Sequence, residues 1–369
     1  MAGTLRARVA DPAGGEREAV LLRVADEDGR VGWGEASPLP GYSPDSLADV
    51  EGALDDWALR WADGEITADS NLGALAADDP FGGLEPDSLP SAACAIDTAI
   101  LDLAARRKGV PLHSLLLDRA GPERPINRLA AAGLVTLDGA ERPGAPRSGT
   151  SATARVTALV AEGYRTVKCK LGGAGTGGSR TSPDAAFAAE MSELRAIRDE
   201  HPYLTLRLDV NGRWSPDSAR ERLRALKREI DPEFVEQPVG PEELLSFAAP
   251  SVALAADESL RIPGAADRLT GPGGCAVFVL KPMLLGGPRR CIVLARTAFA
   301  DGIRVVVSHA FGGPIAHAAA CELALALAAA DPSGDAPAAG LAGHDDLPQR
   351  SGAWIVPVDG TGHGTDVSW

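Results

Sequence analysis

The sequence predicts an α/β protein: an α+β segment to about residue 122, then strand–helix units that close into a barrel. Three observations predict it. The N-terminal third mixes paired strands and helices without alternating them. From about residue 126, short apolar strands and amphipathic helices alternate. Most of those strands end in polar residues followed by a turn or helix signal.

In chain order, LRARVADP and AVLLRVAD read as hairpin strands around Gly14-Gly15. GWGEASPLPGYS (Gly32 to Ser43) reads as a Gly/Pro-rich loop. SAACAIDTAILDLAARRKG (Ser91 to Gly109) ends in basic residues and Gly, as a helix does. INRLAAAGLV is a strand candidate, and DGAERPGAPRSGTSATA after it is a low-complexity loop. The later strands are YRTVKCKLG, LTLRLDVNG, PEFVEQP, VALAADES, CAVFVLKP and IRVVVSHA. Helical stretches such as AAFAAEMSELRAIRDEH and SPDSARERLRALKREI lie between them. Repeated βα units with apolar strands imply a parallel sheet covered by helices. Six or seven units in this length suit a closed barrel better than an open sheet. The expected division is 1–122, a barrel at 123–330, and a tail, 331–369, packed back on the first domain.

Composition narrows the function. Hydrophobic residues make up 45% of 369, enough for a sizeable core. The net charge of −15 argues against nucleic-acid binding, which needs a basic footprint. No apolar run is long enough to span a bilayer, and MAGTLRARVA lacks a signal-like apolar region. The expectation is a cytoplasmic protein with no membrane partner. The five cysteines are odd in number and form no CxxC pair, so reduced, buried thiols are expected. GGAGTGGSR (Gly172 to Arg180) lacks the GK[ST] ending of a phosphate loop and reads as a flexible loop.

Only five of the 36 basic residues are lysines: Lys108, Lys168, Lys170, Lys227 and Lys281. Three sit at the ends of apolar strand-like runs. Arginine cannot act as a base, whereas a buried lysine can. The polar residues at strand ends are Lys168 and Lys170, Asp209 and Asn211, Glu236, Asp257 and Glu258, and Lys281. The gaps from Lys170 onward are 39, 27, 21 and 24 residues, each about one helix and one strand. Strand ends of one polarity open onto one face of a barrel. With a period of two, Lys168 and Lys170 share a face and Cys169 points away. Three converging carboxylates repel unless a hard cation joins them. Asp209, Glu236 and Asp257 are the natural ligands for Mg²⁺, with Mn²⁺ a possible substitute. The flanking lysines are placed for acid–base work. Glu258 reads as a helix-capping neighbour that points off the metal.

The order KxK, D-x-N, E-x-P, D-E-S, K-P resembles the muconate-lactonizing-enzyme subgroup of the enolase superfamily. The resemblance covers nearly the whole chain. It implies an α+β capping domain over a (β/α)₇β modified TIM barrel. It implies Lys170 and Lys281 as acid/base groups on opposite substrate faces, Lys168 tuning Lys170, and Mg²⁺ on the three carboxylates. GWGEASPLPGYS, RLDVNGRW (Arg207 to Trp214) and ADESLR (Ala256 to Arg261) resemble o-succinylbenzoate synthases in particular. The first would be a lid carrying Tyr42 and Ser43 over a small carboxylate substrate, with Asn211 below. The turn SHAFGGPIAH departs from the family, placing Phe311 where Glu is usual. Ser308 and the backbone of Gly312 and Gly313 remain as candidate carboxylate contacts there. His309 is either a further contact or a cap.

The reading is Mg²⁺-dependent dehydration of 2-succinyl-6-hydroxy-2,4-cyclohexadiene-1-carboxylate to o-succinylbenzoate, a carbon–oxygen lyase reaction of menaquinone or phylloquinone synthesis. The alternatives with the same machinery are N-succinylamino acid racemase, dipeptide epimerase and muconate cycloisomerase. A Schiff-base lyase using Lys281 is a rival of another class, as is a non-catalytic carboxylate binder.

Overall fold

A computed structural model describes residues 1–12, 14–66, 81–120, 126–137, 150–171, 182–248, 252–343 and 347–365. Much of the loop after residue 137, and Gly172 to Arg180, lie outside the described residues.

The N-terminal part is a three-stranded antiparallel sheet of β1 (Ala2–Ala10), β2 (Glu16–Ala25) and β3 (Val31–Ala36). Helices α1 (Leu47–Ala62), α2 (Pro90–Lys108) and α3 (Leu112–Ala120) follow. The sheet packs on α1 and α2 through Val20, Leu22, Leu54, Trp57, Ile96 and Leu103. The third strand corrects the loop expected at the start of GWGEASPLPGYS. Its glycines serve close packing: a Cβ at Gly34 would overlap the Ala95 carbonyl of α2, and one at Gly32 the Ala99 carbonyl. The α2 helix ends at Gly109 in the left-handed region (φ 70°), as its sequence predicts.

The second part begins with β4 (Leu129–Ala130) and β5 (Gly133–Thr136). Strand–helix units follow: α4 (Ala152–Ala161), β6 (Thr166–Lys170), α5 (Pro183–Glu200), β7 (Thr205–Asp209), α6 (Pro216–Glu229) and β8 (Phe234–Glu236). Next come α7 (Pro241–Leu244), β9 (Leu254–Ala256), α8 (Ala265–Leu269), β10 (Val277–Leu280), α9 (Pro282–Leu285), α10 (Pro288–Ala300), β11 (Arg304–Val307) and α11 (Pro314–Ala330). The chain ends on β12 (Arg350–Ser351) and β13 (Trp354–Ile355), which pairs with β4. Ser151, Ser182 and Ser215 cap α4, α5 and α6, each accepting the N–H three residues on.

Strands β5 to β11 form one parallel seven-stranded sheet in chain order. Outward residues such as Cys169, Leu208 and Phe278 join the core beneath the helices. Inward residues Phe234, Ala255, Val277, Val279 and Val306 form an apolar floor. The gap in the ring is closed by the tail. Gly340 N–H donates to Val307 O (2.8 Å), and Ala339 N–H to Ala130 O (2.8 Å). Part of 331–369 is thus barrel wall, whereas His363 and Thr365 reach Asp102 and Arg106 of α2. The tail, expected on the first domain, makes contacts with both parts. All five cysteines are buried and unpaired. No helix among the described residues is long and apolar enough to cross a membrane.

Candidate active site

Parallel register sets the site. Lys170 pairs across to Asp209, and Asp209 to Glu236. Asp257 follows β9, and Lys281 follows β10. Three strand ends therefore bring Lys170, Asp209 and Glu236 side by side at one mouth. A cavity of about 660 Å³ opens over them. Lys168, Lys170 and Asn211 line one side, Glu258, Arg261 and Lys281 another. Leu39 to Tyr42 and Asp11-Pro12 of the N-terminal part cover it, and Ser308 to Phe311 complete the wall.

The charged groups form one network. Lys168 Nζ lies 2.6 Å from Glu236 Oε1 and 2.8 Å from Asp209 Oδ2. Lys170 Nζ lies 3.2 Å from Asp209 Oδ2 and donates to Asn211 Oδ1 at 3.2 Å. Lys281 pairs closely with Asp257 and donates to the Tyr42 hydroxyl at 2.9 Å. That hydroxyl stands 3.1 Å from Asp257 Oδ2 and 3.2 Å from Glu258 Oε1.

Burial acts against every charge here, and the neighbours decide the outcome. At Asp209, burial is outweighed by the Lys168, Lys170 and Lys281 ammoniums, which hold the carboxyl well below its usual range. At Glu236, burial and the Asp209 charge together push the carboxyl up to about 7. Burial pulls Lys170 below the ordinary lysine value, helped by Lys168 and Lys281 and opposed by Asp209. For Lys168 burial is overcome by Asp209 and Glu236, and its pKa rises. Burial, then the Asp257 and Glu258 charges, raise the Tyr42 phenol, which stays a neutral donor.

The donor set suits a hard divalent cation: every candidate ligand is a carboxylate. Among the described residues, no three potential ligands stand round one point as the side chains lie. The lysine ammoniums take that space. Asp209 Oδ2 is nonetheless a buried oxygen whose near partners are the Lys168 and Lys170 ammoniums alone (2.8 and 3.2 Å). Glu258 Oε2 is open. The buried Asp209 oxygen, beside the Glu236 and Asp257 carboxylates, fits Mg²⁺.

The residues expected at the site divide. Lys168, Lys170, Lys281, Asn211, Tyr42 and Ser308 line the cavity. Asp209, Glu236 and Asp257 lie buried at its base. Ser43 does not line it; its hydroxyl accepts the Leu39 N–H (2.9 Å) and holds the lid turn. Gly312 and Gly313 do not line it either. The N–H of Gly313 donates to Glu35 Oε1 (2.5 Å), so this helix terminus already has its carboxylate. Glu258, read as pointing off the metal, faces the cavity and accepts from Asn211 Nδ2 (3.2 Å).

Sequence reasoning passed over three positions. Gln237 Oε1 accepts the N–H of both Asp257 and Ser259 (3.2 Å each) and so sets the strand end that presents Asp257. Its left-handed backbone (φ 41°) is a signal only coordinates reveal. Glu35 and Arg17 act across the molecule. The G-x-G-E string was visible, but not its partner.

Residues 151–369 match the family model described as enolase C-terminal domain-like, and residues 9–77 match the MenC N-terminal domain. The chain belongs to the enolase superfamily. It is therefore an enzyme of a superfamily whose members act on small carboxylates and include lyases, epimerases and isomerases. The hydrophobic dipeptide epimerase of Roseobacter litoralis is 30% identical over 287 residues, 76% of this chain and 72% of that protein. The o-succinylbenzoate synthase of Klebsiella pneumoniae is 28% identical over 304 residues, 79% of this chain and 74% of that protein. The dipeptide epimerase of Methylococcus capsulatus, solved in complex with a Mg ion, superposes with a TM-score of 0.74 at 24% identity. That comparison covers 99% of this chain and 98% of that one, and shows the shared capped-barrel fold.

Proposed function

We propose that this enolase-superfamily enzyme is an o-succinylbenzoate synthase. The observation that carries the reading is a convergence. The three synthase-like stretches lie far apart in sequence, yet each lines the same cavity. They contribute Leu39 to Tyr42, Asn211 and Arg213, and Glu258 and Arg261. The cationic Arg213 and Arg261 in the cavity lining suit a substrate with a second carboxylate.

Asp209, Glu236 and Asp257 would hold Mg²⁺. When bound, it supplies positive charge where negative charge develops beside the substrate carboxylate. Lys170, whose pKa is lowered, accepts the proton from ring carbon 1. The C–H electron pair becomes the new ring π bond, and the bond from carbon 6 to its hydroxyl breaks. The departing hydroxide takes a proton from the Lys170 ammonium and leaves as water. The ring becomes aromatic, which makes the step irreversible. Lys281 stays on the opposite face as a fixed cation, stacked 5.2 Å from the Tyr42 ring centroid.

A dipeptide epimerase is the second reading, favoured by the 30% identity to one such enzyme. It needs a base on each face, so both Lys170 and Lys281 would transfer protons. Turnover of the cyclohexadiene dicarboxylate and of L-Ala-L-Glu by the wild-type enzyme, each with α-proton exchange in D₂O, separates the two. Lys281→Arg keeps the charge but takes up no proton at neutral pH. A synthase variant of this kind retains measurable dehydration even if misplacement costs ~10²-fold. Loss of dehydration in Lys170→Ala is expected as well. Turnover of the dipeptide alone would overturn the synthase reading.

A further inference from the structure

We propose that Arg17 is the positioning residue that shapes the substrate-facing walls of the cavity, by tying together three loops from different parts of the fold. Arg17 lies near the start of β2, is 9% exposed and does not line the cavity. Its guanidinium donates to four backbone carbonyls. Nη1 reaches Ala10 O (2.6 Å), and Nη2 reaches both Ser37 O (3.1 Å) and Phe311 O (2.7 Å). Nε reaches Pro38 O at 3.5 Å.

Each carbonyl belongs to, or directly precedes, a cavity wall. Ala10 leads into Asp11-Pro12, and Ser37-Pro38 leads into Leu39 to Tyr42. Phe311 is itself a wall residue, at the far end of the barrel sequence. Carbonyl oxygens brought together repel, and a multivalent donor offsets that repulsion. A guanidinium offers five N–H groups in a rigid plane, whereas a lysine ammonium is a single point. Burial lowers the Arg17 pKa, and the Asp11 and Glu35 carboxylates support its charge.

The turn it holds is strained. Phe311 has φ 56°, a left-handed conformation that a non-glycine residue keeps only when its surroundings impose it. The surroundings do so from three sides. Arg17 holds the Phe311 carbonyl, His309 Nδ1 accepts the Phe311 N–H (3.2 Å), and Glu35 binds the Gly313 N–H. Two of these three come from the N-terminal sheet. The shape of the barrel turn, and so of the pocket, is written partly in the cap.

This inference rests on the cavity being the substrate site, and its test has an arm independent of turnover. Hydrogen exchange by mass spectrometry is compared for the full-length wild type, Arg17→Ala and Arg17→Lys. In Arg17→Ala, amides of 11–15, 37–43 and 309–313 should exchange at least ~10-fold faster together, with β6 to β8 unchanged. Arg17→Lys should release at least one of the distant loops, 37–43 or 309–313. It carries the comparison if the alanine variant does not fold. With the cyclohexadiene dicarboxylate, KM of Arg17→Ala should rise ~10-fold or more while kcat stays within ~3-fold. Added guanidinium ion should restore that KM in Arg17→Ala and not in Arg17→Lys. Faster exchange confined to 11–15, or a lowered Tm with unchanged KM, would overturn the proposal. If the wild type turns over nothing, the functional reading fails while the exchange arm still decides this one.

Discussion

Glu35 offers the sharpest quantitative test of how the cap is joined to the barrel. It is buried, 1% exposed, on β3 of the N-terminal sheet, and its carboxylate sits on the N-terminus of α11. It accepts the N–H of Gly313 (2.5 Å) and of Ala316 (3.2 Å), and the Ser37 hydroxyl (2.8 Å). Glu35→Ala leaves a buried and a part-buried backbone donor without that acceptor, at about 1–3 kcal/mol each. It also removes a negative charge from the positive end of a 17-residue helix, worth about 0.3–1 kcal/mol more. The expected loss is therefore ~2–7 kcal/mol. Glu35→Gln keeps the shape and one good acceptor oxygen, so about 1–3 kcal/mol is expected. Urea unfolding followed by tryptophan fluorescence measures both; Trp33, two residues away and buried, is a local reporter. A loss under ~1 kcal/mol in Glu35→Ala would show that water replaces the carboxylate at no cost, and the capping argument would fail.

Three further expectations follow from the site and the fold. Chelation should abolish turnover, and saturating Mg²⁺ should stabilise the wild-type fold by ~2.7 kcal/mol at a hundred times Kd; an unchanged Tm on adding Mg²⁺, with full activity in EDTA, would remove the metal from the account. Tyr42→Phe deletes the hydroxyl shared by Lys281, Asp257 and Glu258. Its kcat/KM should fall ~10- to 100-fold, the worth of a hydrogen bond to charged groups, and an unaffected value would reduce the lid to a structural loop. Gly34→Ala drives a methyl into the Ala95 carbonyl of α2; a loss above ~4 kcal/mol in thermal or urea unfolding is expected, and a near-neutral result would mean that β3 and α2 separate easily.

The order of chemical groups along this chain was legible without coordinates. Lys168, Lys170, Asp209, Glu236, Asp257 and Lys281 each close an apolar strand. Strand alternation and the strand–helix repeat are local patterns, read within a few residues. The structure's register then sets Lys170 beside Asp209 and Asp209 beside Glu236. What lies between distant segments was not legible. Glu35 meets Gly313 across 278 positions, and Arg17 meets Phe311 across 294. No periodicity encodes such pairs. The glycines of β3 looked like loop residues because the helix they admit lies some sixty positions on. Tail residues Ala339 and Gly340 were expected on the first domain with the rest of 331–369. They become the closing wall of the barrel only because Ala130 and Val307 stand with unpaired carbonyls on either side of a gap. The direction of Glu258 likewise depends on distant groups, the Asn211 amide and the Tyr42 hydroxyl of the lid. Local chemistry and its order reside in the sequence. Which backbone groups remain to be satisfied, and by whom, exists only once the chain has closed on itself.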